Sequence, residues 1–220
     1  MRGPDPLGWD QYCARWSLTH GGYDPRRASP PVRGWLRLGH RLGTALVRLG
    51  VRSPDAVTLA GLLLSAAVPL SAPAFPAGPL VAALLVLFSA VADTIDGVLA
   101  VIADRATRMG QVYDAAADRL SEAAWLLAFT LLGAPPWLTV AAGAAMWLHE
   151  YVRARATAAG MSDIGTITVA ERPTRVLVTV FGLLATLADP RAATVTAAIA
   201  LALSLIGLAQ LVSAVRKALR

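Results

Sequence analysis

The sequence predicts an all-α, polytopic membrane protein with six transmembrane helices, preceded by an amphipathic helix on the membrane surface. Three observations carry that expectation. Of 220 residues, 56% are hydrophobic and only 15% charged, and the mean hydropathy is positive, a balance too apolar for an ordinary soluble domain. Six segments approach the ~20 residues of helix that a hydrocarbon core requires. They are 56 to 73, 79 to 103, 111 to 132, 137 to 157, 173 to 188 and 192 to 214. Short turns containing Pro and Gly join them, with no long linker and no internal repeat. The chain therefore divides into a cytoplasmic N-terminal segment, 1 to 53, and a six-span domain, 54 to 220.

Residues 1 to 31 are rich in Pro, Gly and aromatics and show no period, so they read as an interfacial cap or a partly disordered segment. No apolar run follows the first charges, and no cleavable signal peptide is expected. The single cysteine, Cys13, excludes an internal disulfide. From Val32 onward the pattern changes. At 100° per residue, Arg33, Arg37, Arg41, Arg48 and Arg52 share one face, while Trp35, Leu38, Leu42, Leu46 and Leu49 share the other, as in a helix lying on a membrane. Ser53-Pro54 is a helix start signal, with Asp55 and Thr58 in the first turn of span one.

Basic residues set the orientation, because Lys and Arg of short loops stay cytoplasmic. Nine arginines precede span one, Arg105 and Arg108 follow span two, four lie from Arg153 to Arg175, and Arg216, Lys217 and Arg220 end the chain. The opposite loops, SAPAFPAG, GAPP and ADPR, hold only Arg191. Both termini should be cytoplasmic in a multi-pass protein of the cell membrane. The net charge of +6 then reflects topology and attraction to anionic lipid, not nucleic-acid binding.

Four aspartates break the apolar pattern. Asp93, Asp96, Gly97 and Ala100 fall at i, i+3, i+4 and i+7 of the second helix, and Gly110, Asp114 and Asp118 at i, i+4 and i+8 of the third. Carboxylates are costly in lipid and would repel one another, and no Lys or Arg lies among these positions. A pair of divalent cations neutralises them most simply. Oxygen-only ligands suit Mg²⁺ or Mn²⁺, and a two-metal clamp suits displacement at phosphorus. Gly97, Ala100 and Gly110 leave room for close helix approach or a flat ligand. An ion pathway would place its acids at the bilayer midplane, whereas these lie near the cytoplasmic helix ends.

The same residues resemble a known family. CDP-alcohol phosphotransferases carry DxxDGxxAR, about eight residues, then GxxxDxxxD, and Asp93, Asp96, Gly97, Ala100, Gly110, Asp114 and Asp118 stand at that spacing. The departure is Val101, where the family has arginine; Arg105 and Arg108 are the nearby substitutes. Pro54, Asp55 and Thr58 resemble the family's Pro-Asn-x-x-Thr. EYVRARATAAG followed by TVAERPTR resembles the acceptor-binding half of actinobacterial phosphatidylinositol-phosphate synthases.

The resemblance implies a divalent-metal-dependent transferase of phospholipid biosynthesis. It would move a phosphatidyl group from CDP-diacylglycerol to a small phosphorylated alcohol, releasing CMP. Asp93, Asp96, Asp114 and Asp118 would hold two Mg²⁺ or Mn²⁺ ions, with Asp118 also the general base. CDP would lie against Thr58, Asp96, Gly97, Ala100 and Gly110, and Arg153, Arg172 and Arg175 would bind the acceptor phosphate. Inositol phosphate ranks first as acceptor, then glycerol phosphate, then phosphatidylglycerol. A non-catalytic relative lacking the motif arginine is the alternative, and a homodimer is what the family implies. Glu122, one turn beyond Asp118, is expected to partner Arg119 or His149. The tryptophans, Trp35 and Trp137 among them, are expected at membrane interfaces.

Overall fold

The structure, a computed structural model, describes residues 7–19, 24–161 and 168–220. Those parts of the expected N-terminal cap that fall at 1–6 and 20–23 lie outside the described residues. Among the described residues the chain is helical, with no strand. The helices are α1 (Trp9–Thr19), α2 (Pro30–Arg48), α3 (Pro54–Ser71), α4 (Gly78–Ile102), α5 (Arg108–Leu131), α6 (Pro136–Ala158), α7 (Arg172–Thr186) and α8 (Ala192–Ala218), with a single 3-10 turn at Pro25–Arg27. The six helices from α3 onward match the six apolar segments of the sequence closely.

Three of them, α3, α4 and α8, are long and apolar enough to cross a membrane. Two of the others are limited for visible reasons. Helix α7 has 15 residues, about 22 Å at 1.5 Å per residue, and α5 carries Asp114, Asp118, Arg119 and Glu122 along its length. Large apolar side chains nevertheless face outward on several helices, among them Leu59, Phe88, Val140, Phe181 and Val195. Exposed apolar side chains of this size, repeated along these helices, are what a lipid environment accepts and water does not.

The chain divides into two compact units, one of residues 1–62 and 89–117, the other of 63–88 and 118–220. In the first, α1 supplies Tyr12 and Cys13 to a buried cluster with Val47, Ile95, Val98, Leu99, Val101 and Ile102. Residues 9–19 of the segment read as an interfacial cap or partly disordered are thus an ordered helix, although the sequence there shows no period. Helix α1 has no clean apolar stripe, and its stability comes from packing rather than propensity. Trp9 packs against Tyr12 with the rings tilted at 31° and centroids 5.7 Å apart, and meets His40 edge-on at 5.6 Å. Burial pushes the Tyr12 hydroxyl and the Cys13 thiol up from their ordinary pKa values.

Helix α2 approaches α4 through glycines. A Cβ at Gly43 would sit 2.7 Å from Val98 Cγ1, and Trp35 donates its indole N–H to Thr94 Oγ1 at 3.0 Å. Trp35 stays half-exposed despite that bond, and Leu38, Leu42 and Leu49 of α2 are exposed as well. Helix α3 starts as its sequence dictates. The Ser53 hydroxyl accepts from the Ala56 amide at 3.3 Å, with Pro54 at the first helical position.

In the second unit, α6, α7 and α8 pack together around a small apolar cluster of Leu126, Ala142, Met146 and Ala200. Trp125 is almost fully buried and donates to Ser65 Oγ at 3.0 Å. That tryptophan is therefore a core residue and not one of the expected interface markers, because its N–H found a hydroxyl partner inside.

Candidate functional site

Two polar pockets stand out, one in each unit. The first is an open pocket of about 630 Å³. Thr58, Asp96, Gly97, Ala100, Gly110 and Asp114 all line it, together with Asp55, Val101 and Arg105. Helical spacing produces this convergence. On α4, positions 93, 96, 97 and 100 share a face, and α5 begins so that Gly110 and Asp114 share another. The start of α5 is fixed by Thr107, whose hydroxyl accepts from the Gly110 amide at 2.9 Å. Gly110 has no side chain to intrude, and a Cβ there would approach Asp55 Oδ1 to 3.5 Å.

Asp96 is 5% exposed, and the Thr58 hydroxyl donates to its Oδ2. That hydrogen bond holds one carboxylate oxygen of this lining residue in place. Asp93 and Asp114 each offer a carboxylate oxygen within 4.8 Å of the other. Half-buried oxygen-only donors at that separation fit a hard divalent cation. Asp118 follows Asp114 one turn further along α5.

The second pocket is lined by Asp118, Arg119, Glu150, Arg153, Thr157, Glu171 and Arg172. Arg172, at the N-terminal end of α7, forms an ion pair with Asp118 and lies over the Trp125 ring, 5.9 Å from its centroid. Arg153 pairs with Glu171 Oε1 at 2.6 Å. Thr168 donates to the same oxygen from its backbone amide and its hydroxyl, both at 2.9 Å. Glu171 and Arg119, which the spacing argument did not assign to the site, therefore belong to this pocket. Their signals were present: Glu171 opens the ERPTR run, and Arg119 directly follows Asp118.

Arg175 departs from expectation. Its side chain is 3% exposed, Nη1 donates to Glu122 Oε1 at 2.8 Å, and Nη2 donates to Glu150 Oε1 at 3.0 Å. It does not line the pocket. One helical turn beyond Arg172, it points inward, where an unpaired guanidinium would be prohibitively desolvated and Glu122 supplies the counter-charge. Glu122 is bonded to Arg119 Nη2 at 3.0 Å, as the sequence led one to expect, with Arg175 added. His149, fully buried, places Nε2 at 3.0 Å from Thr168 Oγ1 and Nδ1 at 3.2 Å from Glu150 Oε1. A continuous polar network thus runs beneath the second pocket.

Comparison with known proteins matches this arrangement. Residues 51–212 match the model of the CDP-alcohol phosphatidyltransferase family. The phosphatidylinositol phosphate synthase of Mycolicibacterium smegmatis is 36% identical over 158 residues, covering 67% of this chain and 68% of that protein. The archaetidylinositol phosphate synthase of Pyrococcus horikoshii is 29% identical over 139 residues, 63% of this chain and 72% of that one. Two crystal structures of Mycobacterium tuberculosis phosphatidylinositol phosphate synthase are similar over most of this chain. The one with CDP-DAG bound gives a TM-score of 0.67 at 28% identity, covering 81% of this chain and 94% of the other. The complex with manganese and citrate gives 0.66 at 27% identity, covering 81% and 88%. With its aspartates at the family spacing and its helices superposing on those of family members, the chain belongs to the CDP-alcohol phosphatidyltransferase family.

Proposed function

We propose that this protein transfers a phosphatidyl group from CDP-diacylglycerol to an inositol phosphate, with release of CMP. The observation that carries the reading is the gathering of Thr58, Asp96, Gly97, Ala100, Gly110 and Asp114 around one pocket, in a chain of this family. The acceptor assignment is supported by the arginine-bearing second pocket and by the similarity to inositol phosphate synthases.

In this reading the first pocket takes the donor. Gly97 and Gly110 present bare backbone and Ala100 only a methyl group to a flat base, and Thr58 orients Asp96. Asp93, Asp96, Asp114 and Asp118 hold two Mg²⁺ or Mn²⁺ ions, whose chemistry is to neutralise the pyrophosphate and polarise it for displacement. The second pocket takes the acceptor phosphate on Arg153 and Arg172, with Arg119 beside them. Arg175 serves from below by fixing Glu150. Asp118 accepts the proton of the acceptor hydroxyl, whose oxygen attacks the phosphorus bearing diacylglycerol as the bond to CMP breaks.

Helices α3 to α8 are the six spans, with both termini cytoplasmic in the cell membrane and α2 lying on the surface. Residues 1–53 form the cytoplasmic segment and 54–220 the six-span domain. This placement is supported by the exposed Trp35, Leu38 and Leu42 of α2 and by the asymmetry of loop arginines. A homodimer accords with the family.

The test is CMP release by detergent-solubilised protein given CDP-diacylglycerol, Mn²⁺ and inositol phosphate, glycerol phosphate or phosphatidylglycerol in turn, with Asp118→Asn as the blank. Release with inositol phosphate, lost in the variant, is expected. Preference for another acceptor would overturn the acceptor assignment, and no release with any acceptor would leave a non-catalytic family member.

A further inference from the structure

We propose that Arg105 is the cation that grips the diphosphate of the CDP-alcohol donor, and that Asp104 is the positioning residue that brings it there. The proposal rests on the transferase reading above and adds a residue that the family spacing does not supply.

The donor pocket has an electrostatic problem of its own. Asp55, Asp96 and Asp114 line it, and the ligand it is built for is itself a dianion. Among the described residues lining that pocket, Arg105 is the one cationic side chain. Arg108, the other basic residue of this turn, does not line it. Position 101, one turn earlier on α4, offers no cation either. Val101 is 6% exposed and belongs to the apolar cluster that Tyr12 and Cys13 of α1 complete. Val101 also lines the pocket, so at that position the wall is apolar and carries no charge.

The end of α4 shows how residue 105 reaches the same place. The Arg105 amide donates to Ala100 O at 2.9 Å and the Asp104 amide to Val101 O at 3.4 Å, the paired bonds of a Schellman motif. The chain thereby folds back over its last turn, and the Arg105 backbone is hydrogen-bonded to Ala100, itself a lining residue. The motif requires a left-handed residue at 104, and Asp104 has φ 55°. Glycine usually fills such a position, and aspartate is among the few other residues that tolerate it. Arg15 of α1 holds the Asp104 carboxylate at 3.1 Å. Helix α1 therefore shares the apolar cluster of Val101 and reaches the turn that carries Arg105 through an exposed ion pair.

The experiment compares CDP binding in the presence of Mn²⁺, by titration calorimetry on detergent-solubilised protein, and the KM for CDP-diacylglycerol in the CMP-release assay. Loss of one charge-assisted hydrogen bond predicts that Arg105→Gln weakens CDP binding and raises that KM by about tenfold or more. Arg108→Gln should change neither by more than about twofold, as expected of a solvated surface charge. The backbone argument is tested separately. Asp104→Val, a β-branched residue that resists positive φ, should reproduce the Arg105→Gln defect, whereas Asp104→Gly, which keeps the turn without the ion pair, should remain near the unaltered protein. Equal CDP affinity in Arg105→Gln and the unaltered protein would overturn the assignment. A failure of the unaltered protein to release CMP would instead sink the transferase reading, and CDP affinity would still decide the role of Arg105.

Discussion

Replacing Arg175 with methionine tests whether this arginine supports the site or binds the substrate. Its guanidinium is 3% exposed and faces Glu122, 1% exposed, at 2.8 Å and Glu150 at 3.0 Å. Removing one partner of a buried ion pair costs about 3–5 kcal/mol, because the other charge is left desolvated. Here Glu122 keeps Arg119 at 3.0 Å, and Glu150 is one-third exposed, so the lower figure applies. About 3 kcal/mol corresponds to a roughly 150-fold shift in the unfolding equilibrium. Arg153→Met removes contacts at the partly exposed pocket rim, 26% and 29% exposed on the two sides, and should cost about 1 kcal/mol or less. The readout is the midpoint of SDS-driven unfolding in mixed micelles. Adding Glu122→Leu to Arg175→Met should recover part of the loss, since a buried pair replaced by apolar residues leaves no orphaned charge. If Arg175→Met unfolds no earlier than Arg153→Met and instead raises the acceptor KM as much, the guanidinium serves the ligand and the supporting role is wrong.

Two further outcomes follow from the geometry. Asp93→Asn and Asp114→Asn each replace a charged oxygen donor with a neutral amide, and each should abolish the rise in melting temperature produced by Mn²⁺; a rise of unchanged size in both would sink the metal assignment. Gly43→Ala should destabilise by about 1–3 kcal/mol, because its Cβ would meet the stiff Val98 side chain at 2.7 Å, while Gly34→Ala in the same helix, with nothing within 4 Å, should be neutral or stabilise by up to ~1 kcal/mol; equal melting temperatures for the two would refute the close approach of α2 to α4.

The parts legible in the sequence are those set by period and punctuation. Segment 79 to 103 became Gly78–Ile102 because an apolar run is bounded there by a Pro- and Gly-containing loop and a charged turn. The pocket assigned to the donor was legible because i, i+3, i+4 and i+7 spacing puts side chains on one face whatever surrounds the helix. Helix α1 was not, since a residue such as Tyr12 declares its burial only once Val98 and Leu99 are folded beneath it. Arg172 and Arg175 stand three residues apart and share a face, so spacing alone cannot say which lines the pocket and which lies beneath it. That depends on Glu122, 53 residues away.

The charges of the second pocket bear on which acceptors it can use. Asp118, Glu150 and Glu171 balance Arg119, Arg153 and Arg172 among its lining residues. Both arginines assigned to the acceptor are already occupied, Arg172 by Asp118 and Arg153 by Glu171. An uncharged alcohol has nothing to offer in exchange for those pairs. A phosphate monoester carries a charge of about −1.5 to −2 and three strong acceptor oxygens, enough to take both guanidinium groups from their carboxylates. Each such charge-assisted contact contributes about 1.5–3 kcal/mol, so two contacts predict a preference of at least ~100-fold in kcat/KM for inositol phosphate over inositol. Arg153→Gln should cut that ratio by about tenfold or more while leaving CDP affinity alone. Comparable use of free inositol by the unaltered protein would mean that the arginines stay with their own carboxylates, and that the acceptor is recognised by its hydroxyls instead.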